Sequence, residues 1–159
     1  TGGSLTPDKK PMDLVEFLGQ VAEEMRVIAK EQKMNFVVTL PRRALTVKTD
    51  ATLLRVVLQN LVSNAMKYSS AGKTVHLSLR KVPRGMEITV KDHGVGSPKT
   101  EQKRIFEKFF RAKNVRQMDT DGSGLGLYIT QTIIESLDGK ISFVSTEGKG
   151  TAFTVRLPG

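Results

Sequence analysis

Leu58-Gln59-Asn60-Leu61-Val62-Ser63-Asn64-Ala65-Met66-Lys67-Tyr68 is the stretch on which the reading of this chain turns. Leu54, Val57, Leu58, Leu61, Val62 and Ala65 recur at the i, i+3, i+4, i+7 spacing of a buried helix stripe. Asn60 and Asn64 stand four residues apart, so they share one face beside that stripe, with Lys67 a turn further along. Two carboxamides and a lysine make an odd border for an apolar face but a serviceable metal-phosphate site. A carboxamide oxygen is a hard ligand suited to Mg²⁺, and a lysine ammonium pairs with phosphate oxygens. An isolated N-x-x-x-N is more often plain polar surface, so the rest of the chain decides its meaning.

Working outward, apolar periodicity predicts a first helix from about Asp13 to Gln32, with Leu14, Phe17, Leu18, Val21, Met25 and Ile28 on one side. Residues 1–12, opening Thr1-Gly2-Gly3-Ser4, read as a linker, and residues 13–159 as a single domain. Phe36–Leu40 and Leu45–Lys48 read as short strands, and Asp50 as the cap of the helix that ends near Tyr68. Val75, Leu77 and Leu79 alternate with polar residues, as do Met86, Ile88 and Val90, and Pro83-Arg84-Gly85 joins the two runs as a hairpin. From Gly94 to Ser123 the pattern is irregular apart from a short helical piece around Lys103 to Phe110. A stretch so long and irregular inside a domain points to function. Leu125 to Leu137 predicts a third helix stopped by Gly139, and a final hairpin turns at Glu147-Gly148-Lys149-Gly150. The expected fold is a two-layer α/β (α+β) sandwich. Its sheet is mixed, mostly antiparallel and of about five strands, with three helices covering one face.

Composition bounds the function. The 159 residues suit one domain, and the absence of Cys excludes disulfides and thiolate metal sites. No apolar run approaches the roughly 20 residues of a membrane span. The balance of 25 Lys and Arg against 16 Asp and Glu gives +9. Yet Lys9-Lys10, Arg42-Arg43, Lys81, Arg84 and Lys103-Arg104 are scattered, without interleaved aromatics, so no nucleic acid is expected. A basic surface serves an anionic nucleotide or an acidic protein equally well.

Further segments carry chemistry. Asp92-His93-Gly94-Val95-Gly96 places a carboxylate at a strand end, where it can accept a hydrogen bond from an exocyclic amine such as adenine's. Taken alone it is an ordinary turn. Gly122-Ser123-Gly124-Leu125-Gly126-Leu127 opens the last helix, and glycine N–H groups at a helix N-terminus suit phosphate. It does not follow a strand directly, which weakens a dinucleotide-fold reading. Gly72-Lys73-Thr74 lacks the upstream glycine of a P-loop, since Lys67 stands there. Phe106, Phe109 and Phe110 suggest an anchor for a moving loop, or a short core helix.

In this order the segments resemble the ATP-binding domain of sensor histidine kinases, within the GHKL superfamily. Asn60 to Tyr68 is similar to that family's N box, Asp92-x-Gly94-x-Gly96 to its first Gly box and Phe106 to Arg111 to its F box. Gly122-x-Gly124-Leu-Gly126-Leu127 is similar to its second Gly box, and Gly148-x-Gly150-Thr151-x-Phe153 to its closing hairpin. The resemblance covers nearly the whole chain. It implies that Asn64 coordinates Mg²⁺, that Asn60 supports phosphates or metal, and that Asn60, Asn64 and Lys67 are the catalytic set. It implies that Lys67 and Tyr68 line ATP, that Asp92 accepts from the adenine amino group, and that Gly94, Gly96, Phe110, Arg111 and Thr151 belong to the nucleotide site. Gly122, Ser123, Gly124, Leu125, Gly126 and Leu127 would contact phosphates, and residues 111–121 would form a lid. The implied partners are histidine phosphoacceptor and dimerisation helices of the same parent, and a response regulator receiver domain. The chain then reads as a monomeric, cytoplasmic piece of a larger protein, whose membrane anchoring elsewhere the resemblance leaves open, that does not phosphorylate itself alone.

The sequence also departs from the family. Ser97 stands where an Ile is usual, and His93 follows the adenine-binding Asp. Neither His76 nor His93 has phosphoacceptor surroundings. Water-attacking relatives carry Glu at the position of Asn60, a general base that a carboxamide cannot replace, so hydrolysis should be slow or absent. The alternatives are a nucleotide-binding pseudokinase scaffold and an anti-sigma-type serine kinase of the same superfamily.

Overall fold

The computed structural model describes residues 5–107 and 126–159. Along these residues run β1 (Lys10–Asp13), α1 (Leu14–Glu31), β2 (Asn35–Thr39), β3 (Thr46–Thr49), α2 (Ala51–Lys67), β4 (Thr74–Val82) and β5 (Gly85–Lys91). A 3-10 helix (Lys99–Arg104) follows, then α3 (Gly126–Ser136), β6 (Lys140–Thr146) and β7 (Gly150–Pro158). The main sheet has five strands in the order β2-β4-β5-β7-β6, with β2 parallel to β4 and the remaining pairs antiparallel. The expected mixed, mostly antiparallel sheet with helices on one face is what forms.

Alternation explains the two faces. Leu77 pairs with Val90, Val90 with Phe153, and Phe153 with Phe143, so one side of four strands is apolar. Against it lie Leu14, Leu18 and Val21 of α1, Leu54, Leu58 and Leu61 of α2, and Ile133 and Ile134 of α3, all buried. Each such side chain contributes roughly 1.5–3 kcal/mol by leaving water. The opposite face carries Ser78, Thr89, Thr154 and Ser142. There Glu87 of β5 sits between Arg80 of β4 and Arg156 of β7, which hold its carboxyl below the usual range.

Both long helices start as the sequence predicts. Asp13 caps α1 through Val15 N–H, and Asp50 caps α2 through Leu53 N–H. Burial pushes the Asp50 carboxyl up, but N–H groups of Leu53, Asp8 and Thr52 outweigh it and bring the group below its ordinary value.

Three expectations need correction. Residues 1–12 are not all linker: Lys10–Asp13 pair antiparallel with β3, Met12 opposite Val47. A 3-10 helix occupies Lys99–Arg104, where Gln102 ties it to Ser97 and Ser145, while the expected helical piece around Lys103 to Phe110 lies partly outside the described residues. The hairpin connection is Pro83-Arg84, with Gly85 already in β5 and Arg84 taking the left-handed turn at φ 65°. The third helix stops on Asp138 rather than Gly139. Asp138 takes φ 62°, and Gly139 N–H closes back on Ile134 O at 2.9 Å. Gly139 is needed for close approach instead, since a side chain there would begin 2.5 Å from Arg156 O.

Candidate functional site

The site is built where β5, β7 and β6 end together on the helix-covered side. Alternation carries Asp92, one residue past β5, to the same side as Val90, and Thr151 to the same side as Phe153. Asp92 N–H donates to Thr151 O (2.8 Å), and Thr151 N–H donates back to Asp92 Oδ1 (3.1 Å). Gly94 N–H also donates to Oδ1, at 2.9 Å. One carboxylate oxygen is thereby saturated, while Oδ2 accepts nothing from the described residues. Burial pushes the Asp92 carboxyl above its ordinary value, against the lowering pull of Gly94, Thr151 and His93. The result is a rigid, half-buried acceptor with one oxygen open to a donor.

The glycines after Asp92 let its loop touch other elements. A side chain on Gly94 would begin 2.5 Å from Tyr68 O at the end of α2. Gly96 is buried at φ 65° against Thr146 O. Both fit the backbone of the protein itself, which is a different need from the nucleotide contact expected of them.

Across this floor runs α2. Asn60 and Asn64 are half-buried on its flank, as their spacing predicts. Asn60 Nδ2 lies 3.5 Å from Gly126 O and 3.4 Å from Thr130 Oγ1, both on α3. Asn64 Nδ2 lies 3.9 Å from where a side chain on Gly126 would begin. The two carboxamides therefore border the start of α3, and Leu127 packs beside the core there. Tyr68 ends α2 with its N–H on Asn64 O (3.1 Å), and the exposed Lys67 holds its ammonium 5.8 Å from the Tyr68 ring centre. Phe110, Arg111, Gly122, Ser123, Gly124 and Leu125, with the expected lid at 111–121, lie outside the described residues. Phe106 does anchor, stacking edge-on against Phe143 at 5.7 Å and Phe153 at 6.2 Å.

Several polar residues here carry no signal in the sequence. Ser145 Oγ lies 2.8 Å from Thr151 Oγ1, accepts Ser97 N–H at 2.8 Å and stands 3.3 Å from Gly150 O. Gln102 Nε2 donates to Ser97 O (3.1 Å) and Ser145 O (3.0 Å). Ser97 contributes backbone to this clamp, so the unusual side chain at that position leaves the clamp intact. Ser69 Oγ, one residue past Tyr68, is buried without a partner among the described residues. His93 turns away to Thr74 O, at 3.0 Å from Nδ1.

The donor set fits a nucleotide with Mg²⁺. No cluster of three His, Cys, Asp or Glu exists among the described residues, so no all-protein cage for a transition metal is offered there. Neutral carboxamides beside a lysine suit a cation that keeps waters and takes further oxygens from phosphate, as Mg²⁺ prefers. The open oxygen of Asp92 suits an amino group.

Comparison with known proteins places the fold and the family. The sequence profile described as Histidine kinase-, DNA gyrase B-, and HSP90-like ATPase matches residues 49–159, and the chain belongs to that family. Within it the chain has the build of a histidine kinase catalytic domain. It is 36% identical over 149 residues to the sensor histidine kinase WalK of Bacillus subtilis (strain 168), covering 92% of this chain and 24% of WalK. It is 36% identical over 157 residues to the sensor-like histidine kinase SenX3 of Mycobacterium tuberculosis (strain ATCC 25618 / H37Rv), covering 99% of this chain and 38% of SenX3. The chain thus spans between a quarter and two fifths of these relatives. Its fold matches the mycobacterial sensor histidine kinase MprB with TM-score 0.82 and 30% identity, covering 94% of this chain and 98% of that one. It matches full-length ShkA in complex with AMPPNP with TM-score 0.83 and 28% identity, covering 98% of this chain and 32% of that one. Among the described residues no helix is long and apolar enough to cross a membrane.

Proposed function

We propose that this domain binds Mg-ATP and donates its γ-phosphoryl group to a histidine on a separate phosphoacceptor and dimerisation module of the same parent protein. From that histidine the group would pass to a response regulator receiver domain. The observation that carries the reading is Asp92, with Oδ1 locked by Gly94 and Thr151 N–H groups and Oδ2 left open. An ionised oxygen fixed in that way accepts from the adenine amino group and rejects a carbonyl at the same place. The WalK and SenX3 names support the kinase assignment, and the AMPPNP of the ShkA structure supports a nucleotide in this fold.

Each remaining residue then has a role. Asn64, assisted by Asn60, would hold Mg²⁺, which when bound neutralises phosphate charge. Lys67 adds a mobile cation at the phosphates, and Tyr68 with Leu127 forms walls of the nucleotide site. Gly126, the first described residue of α3, sits at a helix N-terminus whose N–H groups favour phosphate, and Gly122, Ser123, Gly124 and Leu125 would extend that cradle. Phe110 and Arg111 would border the lid. The domain itself holds and orients, which is most of what phosphoryl transfer asks of a protein. Asn60 has no basic lone pair with which to activate water, so the acceptor is a nucleophile from outside. In the cell the domain acts in the cytoplasm, as a monomer when separated from its helices.

Calorimetric titration of Mg-ATP into the chain, with Asn64→Ala and Asp92→Ala beside it, tests the binding. The expected result is binding by the parent and its loss in both variants. Radiolabelled transfer to an added phosphoacceptor module tests the chemistry. Steady ATP hydrolysis that disappears in Asn64→Ala would overturn the kinase-not-hydrolase reading.

A further inference from the structure

Ser145 lies on the edge strand β6, outside every segment the sequence marks for chemistry, yet its hydroxyl is the hub of the clamp around Asp92. Register makes this possible: Ser145 pairs with Thr151, and Thr151 neighbours Asp92, so residues of β6 and β7 and the residue just past β5 form one row across the sheet end. Ser145 Oγ has one proton and two lone pairs. One lone pair takes Ser97 N–H at 2.8 Å. The proton can serve Thr151 Oγ1 at 2.8 Å or Gly150 O at 3.3 Å.

The proposed adenine reading decides between these two. Asp92 accepts from the exocyclic amino group, and both ring nitrogens flanking that group, N1 and N7, are acceptors. A hydroxyl beside Asp92 can therefore read a flanking nitrogen only by donating to it. For Thr151 to donate its own proton outward, the 2.8 Å bond between the two hydroxyls must be donated by Ser145 and accepted by Thr151. The hydrogen bonds then run one way, from Ser97 N–H into Ser145, from Ser145 into Thr151, and from Thr151 to the base, directly or across one water. Guanine presents an oxygen acceptor in place of the amino group, so it meets Asp92 the wrong way round, and its N1–H donor would meet Thr151 the wrong way round where N1 is the nitrogen read.

We propose that Ser145 is a positioning residue for base recognition, fixing the direction in which the Thr151 hydroxyl donates to a ring nitrogen beside the adenine amino group. This rests on the adenine reading of Asp92, and its test separates the two. Mg-ATP affinity is measured by calorimetry for the parent, Ser145→Ala, Ser145→Thr and Asp92→Ala, and repeated with 1-deaza-ATP and 7-deaza-ATP, each of which replaces one flanking nitrogen by CH. Ser145→Ala should weaken Mg-ATP binding about five- to tenfold, the loss of one positioned hydrogen bond. Ser145→Thr, which keeps the hydroxyl and suits a strand, should recover most of it. The Ser145→Ala penalty should vanish with the analogue lacking the nitrogen that is read and persist with the other. A purely structural role would give the same penalty with both analogues, and that result overturns the proposal. So does unchanged Mg-ATP affinity in Ser145→Ala. A parent that binds no Mg-ATP, or an Asp92→Ala variant that binds as the parent does, overturns the adenine reading and the proposal with it. If Ser145→Ala does not fold, Ser145→Cys keeps the volume with only a weak donor and takes its place in the same cycle.

Discussion

Gly94→Ala asks whether the tight approach of the Asp92 loop to α2 sets nucleotide affinity. The new Cβ would start 2.5 Å from Tyr68 O, 2.9 Å from Tyr68 C and 3.2 Å from Asp92 Oδ1. Two of these atoms are helix backbone and cannot rotate aside, so the loop must withdraw. Reaching even 3.0 Å from Tyr68 O takes a shift of about 0.5 Å. The same shift stretches the 2.9 Å bond from Gly94 N–H to Asp92 Oδ1 toward the limit of a hydrogen bond. Overpacking of this kind costs about 1–3 kcal/mol, or roughly 3–9 °C in Tm for a chain of this size. With one of its two anchors weakened, Asp92 should bind Mg-ATP about tenfold less well. Gly72→Ala is the matched control. Gly72 has φ 87° with nothing within 4 Å of a new side chain, so the variant suffers backbone strain of about 1 kcal/mol without a clash. Thermal unfolding by circular dichroism and calorimetric titration of both variants separate the effects. Gly94→Ala should lose stability and affinity, and Gly72→Ala stability alone. Destabilised Gly94→Ala that binds Mg-ATP as tightly as Gly72→Ala would refute the link from close approach to site geometry.

Asp92→Asn keeps an oxygen for the Gly94 and Thr151 N–H groups but turns the open oxygen into a donor, so adenine binding should be lost. Because burial holds the folded Asp92 pKa above its ordinary value of 3.8, the carboxylate opposes folding at neutral pH. The variant should therefore melt higher at pH 7, and the gain should shrink as pH falls through that raised pKa and be gone below 3.8, where both states of the parent are protonated. Glu87→Gln should behave oppositely. The depressed folded pKa of Glu87 means its contribution is present above the ordinary value of 4.5 and is lost as pH falls through the lowered one. Since Arg80 and Arg156 are 74% and 60% exposed, the loss at pH 7 should be only about 1 kcal/mol or less, read as a difference in Tm across pH. Phe106→Ala should cost about 2–3 kcal/mol by denaturant unfolding, because it empties one corner of the Phe106, Phe143 and Phe153 cluster, and an unchanged midpoint would show that corner to be unpacked.

The sequence made the fold legible wherever periodicity runs long. Leu54 to Ala65 and Val75 to Val90 announce α2 and the central hairpin because many residues repeat one pattern. It failed at Lys10–Asp13, where a Pro and a Lys in four residues leave no alternation to read, and the strand exists only because β3 lies beside it. Lys99–Arg104 has no apolar residue, and Gln102 ties its helix to the Ser97 carbonyl of its own loop and the Ser145 carbonyl of β6. Asn60, Asn64 and Asp92 were visible because their residue types and spacing have few other uses in combination. Ser145, Gln102 and Ser69 were not, since a serine in a strand becomes meaningful only once a second strand brings Thr151 to it. Gly94 and Gly96 were singled out for the nucleotide site, and the sequence did not show that both also lie tight against the chain's own backbone.

The small β1–β3 sheet has a mechanical consequence. β3 runs directly through Asp50 into α2, and Asp8 N–H grips the same carboxylate, at 2.9 Å to Oδ2, that caps this helix. Asp13 Oδ1 meanwhile ties the start of α1 to Leu45 N–H, just ahead of β3. Tension on the chain at Lys9 or Lys10 would therefore load α2 at its first turn before it could peel α1 from the core. That helix is the rod on which Asn60 and Asn64 are mounted, so a tug at the entry clasp becomes a torque on the two carboxamides.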